Sequence, residues 1–211
     1  MGKDVIIACD FSSSEETLRF LDKLGEKRPY VKIGMELFYA EGPDIVKILK
    51  MRGHKVFLDL KLHDIPHQIH GAAASAAREG ADMITMHTLG GKQMLVAGQE
   101  GVAEVCQAEG RENTITLGIT VLTSMDDEAL AQVGISRTAA EQVDLLANVA
   151  KESGISGVVA SPQEAAMLRE VLGPEGYIVT PGVRPAGSAL GDQSRVATPK
   201  QAFENGASHI V

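Results

Sequence analysis

The amino-acid sequence predicts a single-domain (β/α)8 barrel of the TIM type, on three observations. Eight short β-branched or apolar runs recur at about 25-residue intervals. Segments of helical spacing separate them, and no Gly-x-Gly-x-x-Gly turn follows the first run. Strands alternating with helices imply a parallel sheet with crossover helices. Eight of them in 211 residues favour closure over an open doubly wound sheet, since single α/β barrels of roughly 200 to 250 residues are common.

The strands are predicted over 5–11, 30–35, 55–62, 82–88, 114–122, 157–161, 177–183 and 208–211. After the first, Ser12, Ser13 and Ser14 stand ahead of Glu15 and Glu16, a helix-start signal, and Leu18, Leu21 and Leu24 supply the apolar stripe. Pro43 opens a helix carrying Ile45, Ile48 and Leu49. Pro66 does so after the third strand and Pro162 after the sixth, while Val143, Leu146 and Val149 mark a helix between the fifth and sixth. The domain is expected to span 1–211, with the eighth strand reaching Val211. The loop and helix that complete such a barrel are expected beyond that residue, because the alternative, an uncovered seam between two apolar strands, is a liability.

Hydrophobic residues make up 44% and charged residues 23%, ordinary globular usage that argues against disorder and coiled coil. The longest apolar runs, such as 5–9 and 157–160, fall far short of the about 20 residues needed to cross a bilayer. The first of them, after a lone Lys3 and before Asp10, is too short for a signal peptide. A net charge of -8 without a long basic run weighs against nucleic-acid binding. Cys9 and Cys106 form neither a disulfide framework nor a CxxC site; they read as apolar fillers in a cytoplasmic protein.

Strands of an all-parallel sheet are buried on both faces and normally read as aliphatic runs. Three strands here depart from that rule. By the two-residue strand period, Leu58, Leu60 and Leu62 share one face of the third strand and Phe57, Asp59 and Lys61 the other. The leucines suit the helix layer, so Asp59 and Lys61 point inward. Lys32, between Val31 and Ile33, and Asp10, after Cys9, point the same way from the second and first strands. A structural ion-pair cluster is the plain alternative, but burying each ion costs several kcal/mol before pairing, and Asp10, Asp59 and Lys61 lie near C-terminal strand ends, where this fold keeps its chemistry. Asp64, just ahead of Pro66, also suits a helix cap. His63, His67 and His70 lack the His-Glu-x-x-His pattern, and no metal site is expected from them.

With Asp59-Leu60-Lys61-Leu62-His63-Asp64-Ile65-Pro66 on the page, the chain resembles the orotidine 5'-phosphate decarboxylase family, in its shorter bacterial and archaeal branch. The likeness extends to Cys9-Asp10-Phe11, Val31-Lys32-Ile33-Gly34, Leu122-Thr123-Ser124, Pro181-Gly182-Val183-Arg184-Pro185 and Gly191-Asp192-Gln193-Ser194-Arg195. It departs where the family often reads Ile-Pro-Asn-Thr and this chain reads Ile65-Pro66-His67-Gln68. The resemblance implies a cytoplasmic, cofactor-independent homodimer that converts orotidine 5'-monophosphate to UMP and carbon dioxide. It implies catalysis by Lys32, Asp59, Lys61 and Asp64, the last contributed across the subunit interface. Substrate contacts are implied for Asp10, Lys32, Ile65, Gln68, Thr123, Ser124, Pro181, Arg184 and Gln193. Two other readings stay open: a metal-dependent sugar-phosphate decarboxylase or aldolase on a similar barrel, and a non-catalytic nucleotide-binding barrel.

Overall fold

Eight short strands hydrogen-bond in chain order, each parallel to the next, and the eighth closes on the first. They are β1 (Asp4–Ala8), β2 (Tyr30–Gly34), β3 (Val56–Leu62), β4 (Met83–His87), β5 (Ile115–Ile119), β6 (Gly157–Val159), β7 (Tyr177–Thr180) and β8 (His209–Ile210). The helices between them are α1 (Ser14–Asp22), α2 (Met35–Glu41), α3 (Asp44–Met51), α4 (Pro66–Arg78), α5 (Gly91–Ala108), α6 (Asp127–Gln132), α7 (Ala139–Glu152), α8 (Ala165–Leu172) and α9 (Pro199–Glu204). The structure, a computed structural model, describes residues 3–184 and 197–211.

The expected start signals operate locally. Ser13 caps α1 by accepting the Glu16 amide, and Pro66 occupies the first turn of α4, where its missing N–H costs nothing. Thr138 with Glu141, and Thr198 with Gln201, form reciprocal capping boxes on α7 and α9. Pro162 acts later than expected: α8 begins at Ala165, after a turn in which the Ser161 amide bonds Glu164. The helix α2 directly after β2 carries no strong start signal in the sequence: its N-cap is Gly34, with no side-chain cap.

Strand alternation divides the core as the sequence suggests. Ile6, Tyr30, Phe57, Met83, Leu117 and Val179 fill the barrel interior. Val31, Ile33, Leu58 and Ile84 face outward onto α3, α4 and α5, while Met86, Val158 and Ile178 face α5, α7 and α8. Where α4 crosses α5 the backbones approach so closely that a Cβ on Gly101 would stand 2.3 Å from the His70 carbonyl oxygen. Strands β1, β5, β6 and β7 end two or three residues before the apolar runs do. Of the leftover segments, 9–11, 120–122, 160–161 and 181–183, Asp10, Val121, Leu122, Pro181 and Gly182 line the cavity at the mouth of the barrel, while Cys9, Ala160 and Ser161 stay buried.

Candidate active site

Strand β3 carries the irregularity on which the site depends. Between Leu58 and Leu62 it advances four residues while β4 advances only two, from Ile84 to Met86. An even excess preserves the two-sided alternation, so Asp59 and Lys61 still face the barrel axis, but the chain must kink to absorb it. Lys61 takes the kink at φ 52°, the only non-glycine residue at positive φ among the described residues, a conformation that costs about 1–2 kcal/mol for an L-residue.

Contacts within this bulge are short and closed. Lys61 Nζ donates to Asp59 Oδ2 at 2.8 Å. The other carboxylate oxygen of Asp59 accepts the Thr85 hydroxyl at 2.9 Å, and that hydroxyl oxygen accepts the Lys61 amide at 2.8 Å. A second pair enters from the neighbouring strands: Lys32 Nζ donates to Asp10 Oδ1 at 2.9 Å. Gly34 lies against this pair: a Cβ there would stand 3.4 Å from both charged atoms, in ordinary van der Waals contact.

Both ion pairs line one cavity of about 320 Å³, within the roughly 300 to 1,000 Å³ of small-molecule sites. Phe57, Ile119, Val159 and Val179 form its apolar wall, and Leu122, Thr123, Pro181, Gly182 and Arg184 its rim. The charged groups thus stand on one side of a greasy slot. Arg184 is fixed at the backbone by a hydrogen bond from its amide to the Ala197 carbonyl, and Gly182 turns beside it at φ 75°.

His87, at the end of β4, packs its ring 5.2 Å from that of His63. Burial, with the charges of His63 and Lys61, holds its imidazole below the usual histidine range. A larger cavity, about 400 Å³, opens at the opposite end of the barrel around Tyr30, Asp82 and Tyr177. Its Asp82 is spent on Lys50 at 2.6 Å and on the Val56 amide at 2.7 Å. Chemistry in this fold sits at the C-terminal strand ends, so the smaller cavity is the candidate active site.

Of the residues singled out from sequence, the structure brings Asp10, Lys32, Asp59, Lys61, Thr123, Pro181 and Arg184 together around that cavity. Asp64 and Ile65 lie apart, lining an open depression with His63, Pro66 and Gly90, and Asp64 Oδ1 accepts the Ile65 amide at 2.6 Å. Ser124 and Gln68 are exposed and do not line the cavity. Gln193 lies outside the described residues. Sequence reading missed Thr85, although a threonine between Ile84 and Met86 on a buried parallel strand is the same kind of polar interruption that exposed Lys32. Among the described residues, no group of three or more His, Cys, Asp or Glu side chains is placed to hold a metal ion, and no helix is long and apolar enough to cross a membrane.

Comparison with known proteins decides the family. The model of the Orotidine 5'-phosphate decarboxylase / HUMPS family matches residues 3–211. The chain belongs to this family. Orotidine 5'-phosphate decarboxylase of Moorella thermoacetica is 47% identical over 208 residues, covering 98% of this chain and 82% of that protein. The enzyme of the same name from Bacillus cytotoxicus is 47% identical over 212 residues, covering 100% and 89%. The crystal structure of orotidine 5'-phosphate decarboxylase from Lactobacillus acidophilus superimposes with a TM-score of 0.88 at 41% identity, over 99% of this chain and 89% of that one. An uncharacterized conserved protein from Geobacillus kaustophilus gives 0.87, also at 41% identity, over 98% and 89%.

Proposed function

We propose that the chain removes carbon dioxide from C6 of orotidine 5'-monophosphate to give UMP, a carboxy-lyase step of pyrimidine biosynthesis, and that the two ion pairs in the barrel mouth carry the chemistry. The single observation behind this reading is the placement of Lys61 and Asp59 in one 2.8 Å pair at the C-terminal end of β3, over a slot of nucleotide-site size. As the C6–carboxyl bond breaks, its electron pair remains on a ring carbon. The Lys61 ammonium stabilises that charge and donates a proton to C6, leaving a neutral amine that regains its proton from water. A fixed ammonium in a partly enclosed slot serves the transition state without reorganising solvent. Asp59 holds that ammonium in place and lies near the departing carboxylate.

Lys32 and Asp10 hydrogen-bond the ribose hydroxyls, Thr123 faces the pyrimidine edge from the rim, Ser124 beside it is assigned to the same edge from the family pattern alone, and Arg184 binds the phosphate, a role suited to a guanidinium with a neighbouring backbone turn. Phosphate contacts far from C6 raise turnover when their energy closes and orients the site. Pro181 shapes the rim, and Gln193 is assigned to the same phosphate end from the family pattern.

The active form is a homodimer in which Asp64 and Ile65 serve the partner's site. Two features support this reading. Asp64 stands outside its own chain's cavity, and large apolar side chains next to its depression are exposed: Ile65 is 63% exposed and Leu89, beside Gly90, 52%. A patch of that kind marks an interaction surface. Two buried free cysteines suit the cytoplasm, and burial with the adjacent Asp10 pushes the Cys9 thiol up to about 11.

The direct test is an absorbance assay with orotidine 5'-monophosphate, run with and without chelator. Turnover insensitive to chelator is expected. Chelator-sensitive turnover of a sugar phosphate instead would favour the metal-dependent rival, and product-like nucleotide binding with no turnover would leave a binding protein.

A further inference from the structure

Thr85 is wholly buried on β4, yet neither of its side-chain hydrogen bonds serves the sheet. One hydroxyl accepts the Lys61 amide and donates to Asp59 Oδ1, while Asp59 Oδ2 takes the Lys61 ammonium. The three side chains and one amide form a closed ring. It sits where the β3–β4 ladder is interrupted between Leu58 and Leu62, so the Thr85 oxygen takes an amide that the displaced ladder leaves to a side chain. That amide belongs to the residue held at φ 52°.

We infer that Thr85 is a positioning residue for the decarboxylation: its hydroxyl locks the left-handed backbone of Lys61 and the rotation of the Asp59 carboxylate together, so that the ammonium is aimed before substrate arrives. A hydroxyl suits this task because it is donor and acceptor at one atom. The geometry leaves Asp59 only one oxygen for Lys61, which fixes where the ammonium sits. Without the hydroxyl, a buried amide and a buried carboxylate oxygen both lose their partner, and misplacement of a reacting group by about 1 Å is enough to cost roughly 100-fold in rate. Ground-state binding of nucleotide, carried by the Lys32–Asp10 pair and the Arg184 end of the cavity, does not pass through Thr85.

This inference rests on the reading of Lys61 and Asp59 as the catalytic pair, and the experiment separates the two. Thr85→Val, nearly the same shape with no hydroxyl, is compared with Thr85→Ser, which keeps it, and with Lys61→Ala in the same assay. The valine variant is expected to lose about 10- to 100-fold in kcat, the range for a hydrogen bond to a charged group, with UMP inhibition within about threefold of the parent. The serine variant should recover most of the rate. A purely structural role would lower UMP binding and turnover together, without rescue by serine. Unchanged kcat in a folded Thr85→Val protein overturns the inference. Full activity in Lys61→Ala would instead remove the catalytic reading beneath it. Should the valine variant not fold, Thr85→Cys, a weak donor and acceptor of similar size, takes its place against serine with the same two outcomes.

Discussion

Asp59 is the more enclosed member of its pair with Lys61: its side chain is 12% exposed against 28% for the lysine, at a separation of 2.8 Å. Removing the lysine therefore strands the less solvated partner. Lys61→Ala is expected to lose on the order of 1,000-fold or more in turnover while still binding UMP, and to lose about 1–3 kcal/mol of stability because the carboxylate is left unpaired. Asp59→Ala made on top of it should recover part of the stability and none of the activity. Denaturant melts and single-turnover assays of the two singles and the double check both halves. Near-normal turnover by Lys61→Ala would sink the assignment.

Arg184 lies at the rim with its backbone tied to Ala197. Arg184→Ala should raise KM for orotidine 5'-monophosphate by roughly tenfold to a hundredfold, the worth of a charged hydrogen bond, and leave the unphosphorylated nucleoside nearly unaffected. Steady-state kinetics on both substrates decide it. Equal losses on the two remove the phosphate role.

Asp64 offers a test that needs no dimer structure. Subunits carrying Asp64→Ala and subunits carrying Lys61→Ala should each be inactive alone. Co-expressed with different tags and purified as the mixed dimer, they should regain activity, because one of the two sites then holds an intact Lys61 and an intact partner aspartate. An inactive mixed dimer would confine Asp64 to its own chain, where it bonds the Ile65 amide.

Two histidines make stability depend on pH. Burial is the first cause holding both His87 and His209 below their usual 6.5. In each case the unfolded chain binds the proton more readily, so stability is fully present above 6.5 and is lost as pH falls below that value. Thermal melts from pH 7.5 to 5 should show a falling midpoint, and His209→Gln should flatten part of that fall. A slope unchanged by this substitution and by His87→Gln would place the acid sensitivity elsewhere.

Much of the fold was legible because burial on both faces leaves a strong residue-level mark. The aliphatic runs located all eight strands, and Leu58, Leu60 and Leu62 gave the outer face of β3 correctly. The same logic picked out charged residues that line one cavity, since Lys32, Asp59 and Lys61 stand out only against strands that should be apolar. Strand ends were less legible: beyond Ala8, Ile119 and Thr180 such residues as Cys9, Val121 and Val183 are still apolar because they remain buried, so composition alone extends the strand through them. The bulge in β3 left no mark at all. No glycine or proline announces it, and an excess of two residues preserves the alternation from which a shift would be read. Thr85 escaped for a related reason, since threonine is common in strands and its hydroxyl acquires a meaning only once its neighbours are known.

The left-handed lysine also sets a limit on engineering. A redesign aimed at heat resistance would straighten β3 into a regular ladder, deleting two residues or replacing Lys61 with glycine, and either change would relieve a conformation that most proteins avoid. It would at the same time erase the amine or its aim. Improvement of this protein's thermal tolerance must therefore come from the outer helices and their surfaces, with the kinked strand copied unchanged.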